Sequence, residues 1–120
     1  MRRRALIGGG MAAAMGAAVA HAHAFLDHAR PAVGSTVGAP PPVVELWFTE
    51  RLEPAFSWIQ VLAPSGERVD QGETRVGPDD ATRLSAALKP LAPGRYQVVW
   101  RVVSVDTHVT TGKFSFEVRP

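Results

Sequence analysis

Three histidines of this chain, His21, His23 and His28, crowd into the stretch AHAHAFLDH at residues 20–28. The fourth, His108, follows Asp106 by two positions in SVDTHVTTG. Imidazole and carboxylate groups bind borderline divalent metals. If residues 106–108 are extended, Asp106 and His108 project to one face and Thr107 to the other, so both could meet one cation. Two ligands make a poor site. The rest of the donor set must come from elsewhere, and the histidine cluster near the chain start is the obvious source.

That cluster stands where one kind of sequence gives way to another. Arg2, Arg3 and Arg4 precede a run without charge from Ala5 to Ala20, followed by small residues. A basic head, a short apolar run and a small-residue cleavage site describe a secretory signal peptide. The run is too short and too rich in Ala and Gly for a membrane span, which needs about 20 apolar residues. Arg3-Arg4-Ala5-Leu6-Ile7 also fits a loose twin-arginine pattern, which any basic head can produce.

The point of cleavage decides the chemistry. Small residues at −3 and −1 allow release of His21, His23 or Phe25. A chain starting at His23 offers its α-amine and its own imidazole as a chelating pair. One starting at His21 places His23 third, where amine, backbone amides and imidazole can wrap Cu(II) in a plane. A start at Phe25 offers neither. The local cleavage pattern leaves the three open.

A cut after Ala22 leaves residues 23–120, enough for one small domain. It removes three of the 13 basic residues, so ten face 11 acidic ones and the formal charge moves from +2 to −1. The basic balance of the whole chain therefore gives no support for nucleic-acid binding. All three methionines, Met1, Met11 and Met15, leave with the leader, and the chain has no cysteine. The fold must hold without disulfides, there is no lipid-anchor cysteine, and any metal must take nitrogen and oxygen donors. Such donors favour Cu(II), Zn or Ni over Cu(I).

The elements that must position these residues read as strands. Helical periodicity is nearly absent after the leader, and short β-rich runs are separated by Pro and Gly. Pro40-Pro41-Pro42 leads into a strand near Val43–Thr49, and FSWIQVLAPSGERVD reads as strand, turn, strand. QGETRVGPDDATR is expected to be a loop with at most a short edge strand, and TRLSAAL another strand. In RYQVVWRV, Tyr96, Val98, Trp100 and Val102 alternate with Gln97, Val99, Arg101 and Val103. In KFSFEV, Phe114, Phe116 and Val118 share one face. Period-two patterning marks strands with one buried face, and this set predicts an all-β antiparallel sandwich or barrel. LAPGRY, entering a strand at Tyr96, fits a tyrosine corner.

Four segments in order, HAFLDHARPAVGSTV, VVELWFTERLEPAFS, PLAPGRYQVVWRVVSVDTH and TTGKFSFEV, resemble the CopC family of periplasmic copper-binding proteins. The resemblance covers essentially the whole chain after the leader. It implies a single-domain Greek-key fold of about seven strands, immunoglobulin-like or cupredoxin-like. It also implies a mature start at His23, with its amine and imidazole joining Asp106 and His108 on one Cu(II) per chain. Some members carry a methionine-rich Cu(I) site, for which this chain has no ligands after residue 15. The implied role is copper homeostasis or resistance in the periplasm, by a monomer that is not an enzyme. A CopD-like inner-membrane copper transporter is the implied partner.

His28 is expected as a surface histidine near the end of the first strand. Its possible function is a hydrogen bond that orients a metal ligand. Trp47, Trp58 and Trp100 read as core or rim aromatics. Two other classes compete. An N-terminal His with a second His resembles the histidine brace of copper monooxygenases, but Asp106 would crowd a position that oxygen chemistry needs open. A metal-free sandwich that only binds another protein is the other. No serine-nucleophile motif, phosphate loop or paired-carboxylate constellation points to hydrolysis or phosphoryl transfer.

Overall fold

The computed structural model describes residues 24–120; the leader expected at residues 1–22, together with His21 and His23, lies outside the described residues. Apolar alternation organises eight strands: β1 (Leu26–Arg30), β2 (Thr36–Val37), β3 (Val43–Phe48), β4 (Trp58–Leu62), β5 (Asp70–Gly77), β6 (Asp80–Leu88), β7 (Gly94–Val103) and β8 (Val109–Val118). They form two four-stranded sheets, ordered β1-β3-β6-β5 and β2-β8-β7-β4. The eighth strand, beyond the seven or so expected, is the two-residue β2, which runs parallel to β8. All other pairings are antiparallel.

The chain changes sheet at every connection except the β5–β6 and β7–β8 hairpins. This is the Greek-key order of a constant-type immunoglobulin sandwich, with β2 added beside the last strand. The inward faces supply one core, centred on Leu46, Ile59, Leu84, Val98 and Phe116, each at most 2% exposed. The Tyr96 hydroxyl donates to the Ala92 carbonyl at 2.6 Å, tying the start of β7 to the turn before it. That is the tyrosine corner expected from LAPGRY.

Two strand assignments differ from the sequence reading. QGETRVGPDDATR is not a loop: it forms most of the β5–β6 hairpin, turning at Pro78-Asp79 between paired Gly77 and Asp80. Strand pairing needs only backbone groups, so an edge strand with a mostly exposed, polar face carries a weak side-chain signal. The alternation in β7 also breaks at its end, where Val102, Val103 and Ser104 are all buried. The segment after β3 folds over that end. Glu53 N–H donates to the Val103 carbonyl at 2.8 Å, and Val103 N–H donates to the Ser57 hydroxyl at 3.1 Å.

The same fold-over builds one pole of the sandwich. Here β1 begins, β3 ends, β7 ends and β8 begins. Gly112, opposite Trp100 in the β7–β8 register, leaves room for the indole: a Cβ at 112 would overlap the ring. Trp100 in turn packs edge-on against Phe48, with ring centroids 5.1 Å apart.

Candidate metal centre

Asp106 and His108 lie in the connection between β7 and β8, not on an extended strand. A turn, rather than the two-residue repeat of a strand, brings them together. Thr107 between them has φ of 70°, in the left-handed region that β-branched residues rarely adopt. The result is an Asp106 Oδ1 to His108 Nδ1 separation of 3.4 Å, an ion-pair distance rather than a short hydrogen bond. Both side chains reach solvent, at 51% and 43% exposure for Asp106 and His108 respectively.

The residue that organises this turn is Ser104. Its hydroxyl donates to Asp106 Oδ1 and accepts the His108 N–H at 3.2 Å. Its backbone N–H donates to the His108 carbonyl at 3.0 Å, and its carbonyl accepts the Thr107 N–H at 2.8 Å. The Ser104 hydroxyl, and after it the His108 ring, hold the Asp106 carboxyl below the usual carboxylate range, against an opposing desolvation. Asp106 is thus kept in the charged form that a cation requires. The serine serves the carboxylate, not the imidazole, so the Ser-Asp-His set is not a nucleophile with its base.

A shelf formed by residues 49–52 links this turn to the start of the described chain. Val105 N–H donates to the Arg51 carbonyl at 2.9 Å, and Leu52 bridges to Ser104. Two residues earlier on the shelf, Thr49 and Phe25 exchange bonds: Thr49 N–H donates to the Phe25 carbonyl at 2.9 Å, and Phe25 N–H to Thr49 Oγ1 at 2.9 Å. Two extended residues span at most about 7 Å. The chain therefore enters the fold beside the turn that carries Asp106 and His108, with Ala24 fully buried at the entry.

His28 lies elsewhere. It is the middle residue of β1, not near its end, and its ring stacks on Trp47 with centroids 4.4 Å apart and planes 7° from parallel. Its Nδ1 is 2.8 Å from Asp27 Oδ2, and Arg30 stands 5.5 Å from the centre of the same indole. These contacts lie on the outer face of the β1-β3 pair, and none of them joins His28 to Asp106 or His108. Trp100 is a core residue, while Trp47 and Trp58 are half-buried.

Among the described residues, no three His, Cys, Asp or Glu side chains gather closely enough to hold a metal ion. The described His, Cys, Asp and Glu side chains thus give Asp106 and His108 no third donor. Ser104 was missed in the sequence. The S-x-D-x-H spacing was its signal, since serines and aspartates near a strand end favour local turns bonded to backbone.

Comparison with known proteins matches a CopC domain model to residues 26–119. Protein YobA of Escherichia coli K12 is 37% identical over 99 residues, covering 82% of this chain and 80% of YobA. Copper resistance protein C of Pseudomonas syringae pv. tomato is 36% identical over 108 residues, covering 85% of each chain. The crystal structure of CopC from Methylosinus trichosporium OB3b superposes with a TM-score of 0.73 at 37% identity, covering 82% of this chain and 95% of that one.

Proposed function

This chain belongs to the CopC domain family, a family of copper resistance proteins, and on that premise we propose that it is an exported, periplasmic Cu(II)-binding protein of copper homeostasis. Cleavage after Ala22 creates a chain that begins at His23. The new α-amine and the His23 imidazole supply two nitrogens, His108 a third, and Asp106 an oxygen, for one Cu(II) per chain. Copper is cargo here, held for buffering or for delivery to a CopD-like inner-membrane transporter.

One observation carries this reading: the described chain enters the fold on the same shelf that holds the Asp106–His108 turn. A residue two positions before Phe25 has a chain reach of about 7 Å, to which a histidine side chain adds its own length. The donor chemistry agrees. Three nitrogens and a carboxylate suit tetragonal Cu(II), and the chain after residue 15 has no sulfur ligand for Cu(I). Partial exposure of Asp106 and His108 leaves them open to exchange of copper with a partner.

Native intact mass of the exported protein, supplied with one equivalent of Cu(II), tests both halves. The expected species begins at His23 and retains one copper. A chain beginning at Phe25, or one beginning at His23 that holds no copper, overturns the proposal.

A further inference from the structure

We propose that Ser104 is a positioning residue, which sets Asp106 and His108 in their binding arrangement before any cation arrives. The inference rests on the metal-binding reading of those two side chains and adds a residue that would touch no metal.

Ser104 is fully buried, yet its hydroxyl is completely engaged by the turn. Its single proton goes to Asp106 Oδ1, and a lone pair takes the His108 N–H at 3.2 Å. A hydroxyl is a donor and an acceptor at one atom. Through that atom Ser104 couples the side chain of one ligand to the backbone of the other. An alanine would do neither job, removing both the donor to Asp106 and the acceptor that holds the His108 N–H.

The turn needs such a clamp. Thr107 sits at φ 70°, where a β-branched residue stays only if its surroundings hold it. The bonds that hold it converge on Ser104: Thr107 N–H to the Ser104 carbonyl at 2.8 Å, and Ser104 N–H to the His108 carbonyl at 3.0 Å. Because Ser104 engages Oδ1, it selects one rotamer of Asp106 and directs the carboxylate's remaining capacity toward a cation. Without the hydroxyl, a cation would have to order both side chains itself, and that ordering would appear as lost affinity.

Ser57 provides the control. It too is a buried serine at this pole, but its hydroxyl bonds to the backbone of Val103 rather than to Asp106 or His108. The experiment compares S104A, S104C and S57A in the processed protein. Metal-free protein is read by hydrogen exchange at the His108 amide, and Cu(II)-loaded protein by chelator competition and electron paramagnetic resonance.

In S104A the His108 amide exchanges at least about tenfold faster than in wild type. Cu(II) binding weakens by about 10- to 100-fold, the usual worth of a partner that orients a ligand, and the copper spectrum changes. S57A lowers the melting temperature but leaves the copper spectrum and affinity within about twofold of wild type. S104C, which keeps the volume with only weak hydrogen-bonding capacity, follows S104A in the metal-free exchange and provides that reading should alanine prevent folding; its thiol, itself a copper ligand, keeps it out of the copper measurements. Wild-type exchange in S104A or S104C, wild-type copper affinity in S104A, or equal copper losses in S57A and S104A, overturn the positioning role. Failure of wild type itself to bind Cu(II) overturns the metal reading instead, while the metal-free exchange still reports whether Ser104 orders the turn.

Discussion

A carboxylate and an imidazole two residues apart are useful to a cation only if the backbone between them turns both the same way. Here that backbone is Asp106-Thr107-His108, with Thr107 at φ 70° and the two side chains 3.4 Å apart. In the proposed site, His108 ties the N-terminal chelate to the sheet. His108→Ala is therefore expected to weaken Cu(II) binding by more than about 100-fold, beyond what loss of an orienting partner alone removes. Near-wild-type affinity in chelator competition would sink the three-residue site. The pH dependence has a definite sign. Imidazole and amine nitrogens must shed protons to bind metal, whereas the Asp106 carboxyl is held below its ordinary range, first by Ser104. Copper affinity should fall on acidification while Asp106 is still charged. Titration of affinity against pH in Asp106→Asn should show weaker binding with the same acid-side decline; loss of that decline would assign it to the carboxylate.

At the scale of elements, the two sheets are joined along an edge by side chains of β5. Val61 N–H of β4 donates to Asp70 Oδ1 at 2.9 Å, and Ile59 N–H to Thr74 Oγ1 at 3.1 Å. These bonds occupy the edge backbone of β4, a group that an open sheet would leave available to other chains. Burial alone would raise the Asp70 carboxyl, but Arg68 at 2.6 Å and the Val61 and Gly72 amides outweigh it and hold it low. Since the folded value is depressed, this contribution to stability is complete above the unfolded value of about 3.9. It is lost as pH falls through the lower folded value. Asp70→Asn should cost about 1–3 kcal/mol at neutral pH and flatten acid unfolding below about pH 4. Denaturant curves at several pH values check both, and a wild-type acid limb in the variant would deny Asp70 that role. Gly112→Ala probes the β7–β8 hairpin, because the new Cβ would meet the Trp100 ring. Overpacking of this kind should destabilise by about 1–3 kcal/mol, and an unchanged thermal midpoint would contradict it.

For the whole molecule, the first described residues and the last hairpin meet at one pole. Ala24 is buried and Phe25 is bonded to Thr49, so the start of the domain is anchored beside the Asp106–His108 turn. If the amine of His23 is a ligand, one extra residue ahead of it converts that amine into an amide. Cu(II) binding should then weaken by at least about tenfold, or about 1.4 kcal/mol, with the melting temperature of the metal-free protein unchanged. Equal affinity with and without the added residue would remove the amine from the site. The orders β1-β3-β6-β5 and β2-β8-β7-β4 make this arrangement possible, because they bring the first strand and the last hairpin to the same end.

The period-two runs around Tyr96–Val102 and Phe114–Val118 were enough to predict a sandwich, because burying one face of a strand leaves an alternating record in side-chain type. The proposed donors also stand in the sequence, as histidines beside an expected cleavage site and a D-x-H pair in a chain without sulfur after residue 15. Three features were decided only by the tertiary structure. β5 is a strand because β6 pairs with its backbone, which polar side chains such as Glu73 and Arg75 do not advertise. Asp106 approaches His108 through a left-handed Thr107, where the spacing alone suggested an extended strand. Ser104 became visible as the organiser of that turn only once the 49–52 shelf had buried it and its hydroxyl had to find partners inside the fold. Side-chain pattern records which faces meet the core, whereas backbone pairing and a buried hydroxyl's partners depend on which segments the fold brings together.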